Sequence, residues 1–201
     1  MINIKHFLQN FYFPLIQDKT KQPWDVITDL ENIIINRISM LNTDYKIENN
    51  IAIHKTALIE KNVTIKAPAI IEKNCFIGAN AYLRNGIYLA ENVKIGASCE
   101  IKSSCIFNNS AIAHFNFIGD SVIGQKVNFE AGSITANHYN ERKEKRIFVT
   151  YNGIIIDTKT EKFGSLVGDN SKIGANAVLS PGTILEANSI VKRLELIEQV
   201  K

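Results

Sequence analysis

A repeat of six residues runs through the middle of this chain. The residues at every sixth place are nearly all aliphatic: Ile47, Ile53, Ile59, Ile65, Ile71, Ile77, Leu83, Leu89, Ile95, Ile101, Phe107 and Ala113. A period of six is two inward–outward alternations followed by a corner, and units this short bury their apolar side only by stacking. The repeat therefore predicts an all-β fold, a parallel β-helix of hexapeptide repeats in which three hexads form one triangular coil of eighteen residues.

The residues before the repeat have a helical pattern. Residues 1–46 do not follow the period of six, and Pro23 is followed by apolar residues at helical spacing from Trp24 to Leu41. The open end of a solenoid exposes unpaired backbone and core. We therefore expect residues 1–46 to form an α-helical cap that covers the first coil, and the β-helix itself to occupy residues 47–192.

The repeat is interrupted once and then resumes. Residues 138–164 form an insertion in which two β-rich runs flank Asn152-Gly153, a pattern typical of a hairpin. The hexads restart at Val167. A long insertion in a compact solenoid indicates a functional loop or a subunit contact. Residues 193–201 leave the pattern and are expected to form a C-terminal tail.

Composition narrows the range of function classes. The net charge of +3 gives no argument for nucleic acid or for an anionic membrane as a partner. We find no run of eighteen apolar residues and no signal-peptide pattern at the start of the sequence. Cys75, Cys99 and Cys105 fall on one repeat position where Ala and Val also stand, so we expect three reduced, buried thiols in a cytoplasmic protein.

Three cations lie eighteen residues apart. Lys66, Arg84 and Lys102 each follow an inward aliphatic residue, so in successive coils they stack into a ladder. Stacked cations repel one another unless an anion lies between them. The ladder is either a solvated basic edge or a binding site for a phosphate or diphosphate, whose oxygens Arg can bind in bidentate fashion.

The period breaks next to a histidine. We place the inward positions at Ala113, Ile118 and Ile123, so that two units of five follow His114 side by side. Irregularities of this kind cluster near functional sites in β structures. A lone His is more often an ordinary surface residue than a catalyst. The coincidence of His114 with the break, and with Lys102 twelve residues earlier, favours a general base.

The chemistry that these residues suit is acyl transfer. The four histidines give no three-ligand metal set, so we expect no catalytic metal. A Gly-rich phosphate loop and a nucleophile elbow are also absent from the sequence. A histidine with a reference pKa of about 6.5 accepts an amine proton near neutral pH. Cations beside it hold a phosphate, which suits transfer from a thioester to an amine on a phosphorylated substrate.

The segment Ala113–Asn137, AHFNFIGDSVIGQKVNFEAGSITAN, carries a specific resemblance. It resembles the acetyltransferase half of the bifunctional glucosamine-1-phosphate acetyltransferase/N-acetylglucosamine-1-phosphate uridyltransferase family. It is also similar to the related archaeal-type sugar-1-phosphate nucleotidylyltransferases with a β-helix tail. Upstream, Arg84 and Lys102 keep that family's spacing to the histidine, and the resemblance covers roughly residues 75–185.

The resemblance implies a left-handed β-helix, a homotrimer with active sites between subunits, and acetyl-CoA as the co-substrate. It implies that His114 is the general base. The implied substrate-binding positions, for a sugar phosphate or UDP-sugar, are Arg84, Lys102, Phe117 and Asn128, with a further cation from Lys143 or Lys162. The implied acetyl-CoA positions are Ala131, Asn137, His138 and Ala175.

Three departures from the family pattern keep an alternative open. Phe117 stands where the family usually has Tyr, His138 where one branch has Tyr, and Ala175 where that branch has Ser. The nucleotidyltransferase domain that precedes the helix in the family has no counterpart in this sequence. The leading interpretation is acetyl-CoA-dependent N-acetylation of an amino-sugar phosphate or a nucleotide-linked amino sugar. The alternative is a non-catalytic sugar-nucleotide-binding or scaffold subunit that partners a separate nucleotidyltransferase, and O-acetylation of a sugar hydroxyl is a third hypothesis.

Overall fold

The structure is a computed structural model that describes residues 1–9 and 20–200; residues 10–19 of the expected cap and Lys201 lie outside the described part. Its main feature is the predicted parallel β-solenoid, built from short strands on three faces. The strands of face 1 are Ile51–His54, Ala69–Ile71, Val122–Ile123, Ser165–Val167 and Thr183–Leu185. The strands of face 2 are Leu58–Ile59, Phe76–Ile77, Lys94–Ile95, Ala111–Ile112, Asn128–Phe129, Lys172–Ile173 and Ile190–Val191. The strands of face 3 are Thr64–Ile65, Phe117–Gly119, Ile134–Thr135, Val178–Leu179 and Leu196–Ile197.

Two longer strands turn the corner from face 3 to face 1. They are Tyr82–Leu89 and Glu100–Ile106, and they pair in parallel with one register shift between Arg84 and Ile87. The first coil is closed on face 1 by Tyr45–Glu48, which pairs antiparallel with Ile51–His54. Among the described residues, these elements make the fold mostly β, as the hexads predict.

The predicted coil of eighteen residues is confirmed in the first coils and shortens in the middle of the solenoid. Phe76 pairs with Leu58 and with Lys94, which is a spacing of eighteen. Ala111 pairs with Lys94 and with Asn128, which is a spacing of seventeen. The shorter coils arise at the corner between faces 3 and 1.

The position of the break differs from the sequence prediction. Ile106 and Ile112 are 0% and 1% exposed inside the solenoid, whereas Phe107 packs outside it and Ala113 is only half-buried. The five-residue steps are Ile101 to Ile106 and Ile118 to Ile123, separated by two steps of six. The prediction of two adjacent short units directly after His114 is therefore wrong.

The solenoid interior is a continuous apolar core. Its fully buried members include Ile71, Ile77, Leu83, Leu89, Ile95, Ile101, Ile118, Ile123, Phe129, Val167 and Leu179. Polar residues also occur at inward positions. One of them is Thr135, which is fully buried and whose Oγ1 accepts from Gly119 N at 2.9 Å and from Ser121 Oγ at 3.1 Å. These contacts satisfy backbone and side-chain donors in the coil from which the insertion leaves.

The corners use the left-handed backbone region that asparagine tolerates. Between faces 1 and 2 the residues at this position are Asn74, Asn92, Asn109, Lys126, Asn170 and Asn188. Between faces 2 and 3 they are Asn62, Asn80, Ser98, Phe115, Gly132, Asn176 and Leu194. Asn stands at most of these corners, and its tolerance of this backbone region lets the chain turn there without glycine.

The three cysteines are free and buried, as expected, but they do not share one repeat position. Cys75 and Cys99 lie inside the solenoid, whereas Cys105 points outward from face 1 into a second apolar cluster. Because the corner within Glu100–Ile106 is one residue shorter, Ser104 points inward in place of Cys105. Burial raises the pKa of the Cys75 thiol to about 12, so the thiol is protonated at neutral pH.

The N-terminal segment covers a face rather than an end of the solenoid. A short 3₁₀ turn at Ile4–His6 is followed by helices α1, Pro23–Thr28, and α2, Leu30–Ile38. Their buried residues cluster with the outward side chains of face 1, such as Ile70 and Leu166. The helical prediction holds for α1 and α2, but the expectation that they cover the first coil is wrong, because the outward side of face 1 is itself apolar.

The insertion covers the same face. It contains the predicted hairpin, in which Phe148–Tyr151 pairs antiparallel with Ile154–Asp157 around Asn152 and Gly153, both at positive φ. Phe163 at its end is fully buried and meets Trp24 of α1 edge-to-face at 5.9 Å between ring centroids. After the insertion the coils continue to Leu196–Ile197, which pairs with Val178–Leu179, so residues expected to be a tail extend face 3.

Candidate active site

His114 lies in the turn between faces 2 and 3, directly after the strand Ala111–Ile112, and its side chain is exposed. This turn packs closely on the preceding coil because the residue beneath it there is a glycine. A Cβ on Gly96 would lie 1.4 Å from the Ala113 carbonyl oxygen and 3.0 Å from His114 Nδ1. Any side chain at Gly96 would therefore displace the backbone that carries the histidine.

Two of the predicted cofactor residues stack on His114 in successive turns. Gly132 N donates to the His114 carbonyl at 2.9 Å, and Asn176 N donates to the Ala131 carbonyl at 3.0 Å. His114, Ala131 and Ala175 therefore form one column along the edge between faces 2 and 3. In the last coil the column continues to Arg193, since Leu194 N donates to the Ala175 carbonyl at 3.0 Å.

An ion pair spans the far end of this column. Arg193 binds Glu130 in bidentate fashion, with Nε–Oε2 and Nη2–Oε1 distances of 2.8 Å each. Glu130 Oε2 also accepts from Ala175 N at 2.9 Å. The Arg193 guanidinium, with help from that amide, holds the pKa of the Glu130 carboxyl below its usual range. Glu130 is therefore charged at neutral pH, and the Ala175 amide is already occupied.

Asn128 points outward from face 2, one residue before the inward Phe129. It lines a groove of about 460 Å³ with Lys172, Lys192 and Arg193. The groove lies beside the column of His114, on its face 2 side. The structure thus brings Asn128 near the column of His114, Ala131 and Ala175 rather than near the cation ladder.

The predicted ladder exists, and two of its three cations, Arg84 and Lys102, are paired with carboxylates of the chain. Arg84 and Lys102 are register partners on adjacent strands, and Lys66 is exposed in the coil before them. Arg84 Nη2 lies 2.6 Å from Glu100 Oε1, and Lys102 Nζ lies 2.5 Å from Asp120 Oδ2. The side chain of Arg84 is 29% exposed and that of Lys102 is 9% exposed. Carboxylates of the protein therefore relieve the repulsion, and Arg84 is the more accessible of the two.

Asn137 belongs to the Lys102 end of this arrangement. It is buried, and its Nδ2 donates to the same Asp120 oxygen that binds Lys102. Its Oδ1 lies 3.2 Å from Nδ1 of the exposed His138. Lys102, Asp120 and Asn137 form a buried polar unit at the corner between faces 3 and 1.

The remaining predicted residues lie around face 3 and the insertion. Phe117 is half-buried on the outward side of face 3, and a Cβ on Gly119 would lie 2.7 Å from its ring. Lys162 is exposed beside Phe163, whose amide donates to the Asn137 carbonyl at 3.1 Å. Lys143 is exposed within the insertion.

One chain does not gather all the predicted residues into one groove. His114 lies at the edge of face 3 that adjoins face 2, whereas Arg84 and Lys102 lie at the opposite edge, adjoining face 1. Sequence reasoning missed Asp120 and Glu130. Asp120 stands eighteen residues after Lys102, so the spacing that indicated the ladder also pointed to its counter-ion.

Within residues 1–9 and 20–200, no group of three or more His, Cys, Asp or Glu side chains could hold a metal ion. No helix in that part of the chain has the length and apolar character needed to cross a membrane.

Comparisons with known proteins agree with the repeat. The hexapeptide-repeat model of succinyl-transferases matches residues 166–192, and the model of the GMPPB C-terminal domain matches residues 67–140. By its fold and by these matches, this chain is similar to hexapeptide-repeat proteins. Its solenoid is similar to bifunctional proteins that join sugar-phosphate nucleotidylyltransfer and acetyl transfer.

Two curated relatives illustrate the similarity. The bifunctional protein GlmU of Methanococcus maripaludis is 41% identical over 84% of this chain and 41% of its own length. The bifunctional sugar-1-phosphate nucleotidylyltransferase/acetyltransferase of Sulfurisphaera tokodaii is 37% identical over 83% of this chain and 42% of its own length. This chain therefore spans about two-fifths of the length of the curated relatives it matches.

Among solved structures, a hexapeptide transferase family protein from Anaplasma phagocytophilum overlaps 74% of this chain and 78% of its own. The two share 18% sequence identity with a TM-score of 0.32, a level of overlap too low to carry an argument about function.

Proposed function

We propose that this chain is an acyl-CoA-dependent N-acyltransferase that acts on an amino-sugar phosphate or a nucleotide-linked amino sugar, with acetyl as the acyl group. The observation that carries the proposal is the column of His114, Ala131 and Ala175. In this column the candidate base His114 lies next to two of the predicted cofactor positions, along the edge between faces 2 and 3. The Sulfurisphaera tokodaii relative is named as an acetyltransferase as well as a nucleotidylyltransferase, which supports the same reaction class.

The reaction needs one base and one leaving group. The substrate amine attacks the thioester carbonyl carbon, a C–N bond forms, and the C–S bond breaks to release coenzyme A. His114 takes the proton that the amine loses and returns it to the departing thiolate, so the enzyme ends unchanged. Its exposed position in the turn leaves the ring accessible to a bound amine.

The phosphate end of the site is proposed to form between copies of the chain. His114 and the Arg84–Lys102 pair border face 3 from opposite edges, so a neighbouring copy placed across that face can bring one copy's base to the other's cations. We propose a homotrimer for this reason. Arg84, as the more exposed cation, then meets the phosphate first, with Lys162 or Lys143 of the insertion as further ligands, and Phe117 and Asn128 contact the sugar.

Replacement of the base tests the proposal. His114→Ala should lower acetyl transfer by about 10²- to 10⁴-fold, the usual contribution of a positioned general base. The matched control is His54→Ala in the first coil, where His54 Nδ1 lies 2.9 Å from Thr56 Oγ1, away from the column. The measurement is coenzyme A release from acetyl-CoA, with thermal denaturation to show that both variants fold. Unchanged turnover in His114→Ala would refute the assignment.

The second candidate is a sugar-nucleotide-binding or scaffold subunit that partners a separate nucleotidyltransferase. One observation favours it: Glu130 already occupies the Ala175 amide, at the position where the cofactor is proposed to bind. Thermal-shift measurements separate the two candidates, since a scaffold would respond to sugar nucleotide and not to acetyl-CoA. O-acetylation uses the same base, and product analysis distinguishes it from N-acetylation.

A further inference from the structure

A buried ion pair lies where the insertion leaves and rejoins the solenoid. Lys102 Nζ and Asp120 Oδ2 are 2.5 Å apart, with side chains 9% and 8% exposed. Removing one partner of such a pair leaves an uncompensated buried charge, which is strongly destabilising. Lys102 and Asp120 therefore stabilise the fold by compensating each other's charge.

The Asp120 carboxylate also holds the side chain of Asn137. Asn137 Nδ2 donates to Asp120 Oδ2, the same atom that binds Lys102. If the amide were rotated by half a turn, its oxygen would face the carboxylate and the two acceptors would repel each other. Asp120 therefore fixes which end of the Asn137 amide faces outward, and that end is the acceptor Oδ1, beside the exposed His138.

The insertion holds the backbone of both residues in place. Gly164 N donates to the Asp120 carbonyl at 2.8 Å, and Phe163 N donates to the Asn137 carbonyl at 3.1 Å. The side chains are thus clamped on a rigid corner, which is the condition for a well-oriented hydrogen-bond acceptor.

We propose that Asp120 is a positioning residue that orients the Asn137 amide, so that Oδ1 accepts a hydrogen bond from an amide N–H of the acyl donor. The inference rests on the proposed function, since it takes Asn137 as a contact of an acyl-CoA. Lys102 is held by Asp120 and lies behind Arg84, which is the first contact of the substrate phosphate. Binding of the acyl donor then depends on Asp120 and Asn137, whereas binding of the sugar phosphate depends on Arg84 and Lys102.

Three variants separate positioning from plain charge balance. Asp120→Asn leaves Lys102 without its counter-ion, and the new amide can donate to Asn137 as well as accept from it, so the Asn137 amide is no longer fixed in one orientation. The melting temperature should therefore fall and the KM for acetyl-CoA should rise about tenfold, the effect of one lost hydrogen bond. Lys102→Met leaves the Asp120–Asn137 bond in place. Its melting temperature should fall and its KM for the sugar phosphate should rise, while its KM for acetyl-CoA stays at the wild-type value.

The double variant decides between the two roles. Lys102→Met with Asp120→Asn removes both buried charges, so the melting temperature should return close to that of the wild type, whereas the KM for acetyl-CoA should stay raised. If the KM for acetyl-CoA instead follows the melting temperature and recovers in the double variant, Asp120 serves charge balance alone and the inference is overturned.

Calorimetric titration of the folded wild type with acetyl-CoA separates this inference from the function on which it rests. A wild type that neither binds nor turns over acetyl-CoA would contradict the proposed function and the inference together. A wild type that does both, with an unchanged KM in Asp120→Asn, would contradict the inference alone.

Discussion

Phe115, the residue after the candidate base, has a backbone conformation that bulky residues avoid. Its φ is +55°, and its side chain is 72% exposed. Left-handed backbone costs an ordinary L-residue roughly 1–2 kcal/mol, and Asn carries less of that cost. Other coils place Asn80 and Asn176 at the same corner position. Leu194 in the last coil is a second bulky residue in this conformation, and at Phe115 the strain lies directly beside His114.

Relief of this strain should be measurable. Phe115→Asn should raise the free energy of unfolding by about 1 kcal/mol, because the exposed ring gives little burial to lose. Lys126→Asn is the matched control, since Lys126 has φ +54° in a corner column where Asn109 and Asn170 have the same conformation. Chemical denaturation of both variants checks this. A gain in Lys126→Asn alone would mean that Phe115 makes a compensating contact.

Single residues also show why the site was predictable only in part. His114, Arg84 and Lys102 stand out in the sequence because they are polar residues at unusual points of a regular repeat. Asp120 was missed because a carboxylate in a corner looks like an ordinary turn residue until its burial and its two donors are known. Glu130 was missed for the same reason, since its partner Arg193 is 63 residues away along the chain.

At the scale of elements, the hexads predicted the strands but not the length of each corner. Two apolar pairs, Ile106-Phe107 and Ile112-Ala113, offer an inward residue at either the fifth or the sixth place. The choice falls to Ile106 because Phe107 packs outside, 6.1 Å from the Tyr88 ring between centroids. Long-range packing, which a single sequence does not display, thus sets the short corners.

The sequence contains a pattern that indicates where the helices lie, and the cap prediction did not use it. The outward residues of face 1 are apolar in successive coils, namely Ile70, Tyr88, Cys105, Val122, Leu166 and Ile184. A solvated face would alternate with polar residues. Apolar residues on both sides of the same strands therefore indicate a covered face.

The contact between α1 and the insertion should contribute strongly to stability. Phe163→Ala removes a fully buried ring beside Trp24 and should destabilise the fold by about 3–5 kcal/mol. Ile154→Ala, on the hairpin but 64% exposed, is the control and should change stability by less than about 0.5 kcal/mol. Urea denaturation compares the two. Equal, small effects would mean that the insertion does not depend on this contact.

At the scale of the whole molecule, the three faces differ in chemistry. Face 1 is covered by the protein's own helices and insertion, and face 2 carries both charged and apolar outward side chains, such as Lys94 and Ile190. Face 3 is also mixed, with outward Phe117 and Glu100, and it has the candidate base at one edge and the paired cations at the other. This arrangement is the physical reason for the proposal that the site is completed by a second copy.

Coenzyme A release in the presence of two matched sugar phosphates tests the central proposal most directly. Glucosamine 1-phosphate carries a free amine, whereas N-acetylglucosamine 1-phosphate has the same phosphate and hydroxyls with the amine blocked. The wild-type chain should release coenzyme A from acetyl-CoA with the first compound and not with the second. Equal release with both would mean transfer to a hydroxyl, and no release with either, or with other amino-sugar phosphates, would contradict the proposed N-acyltransferase.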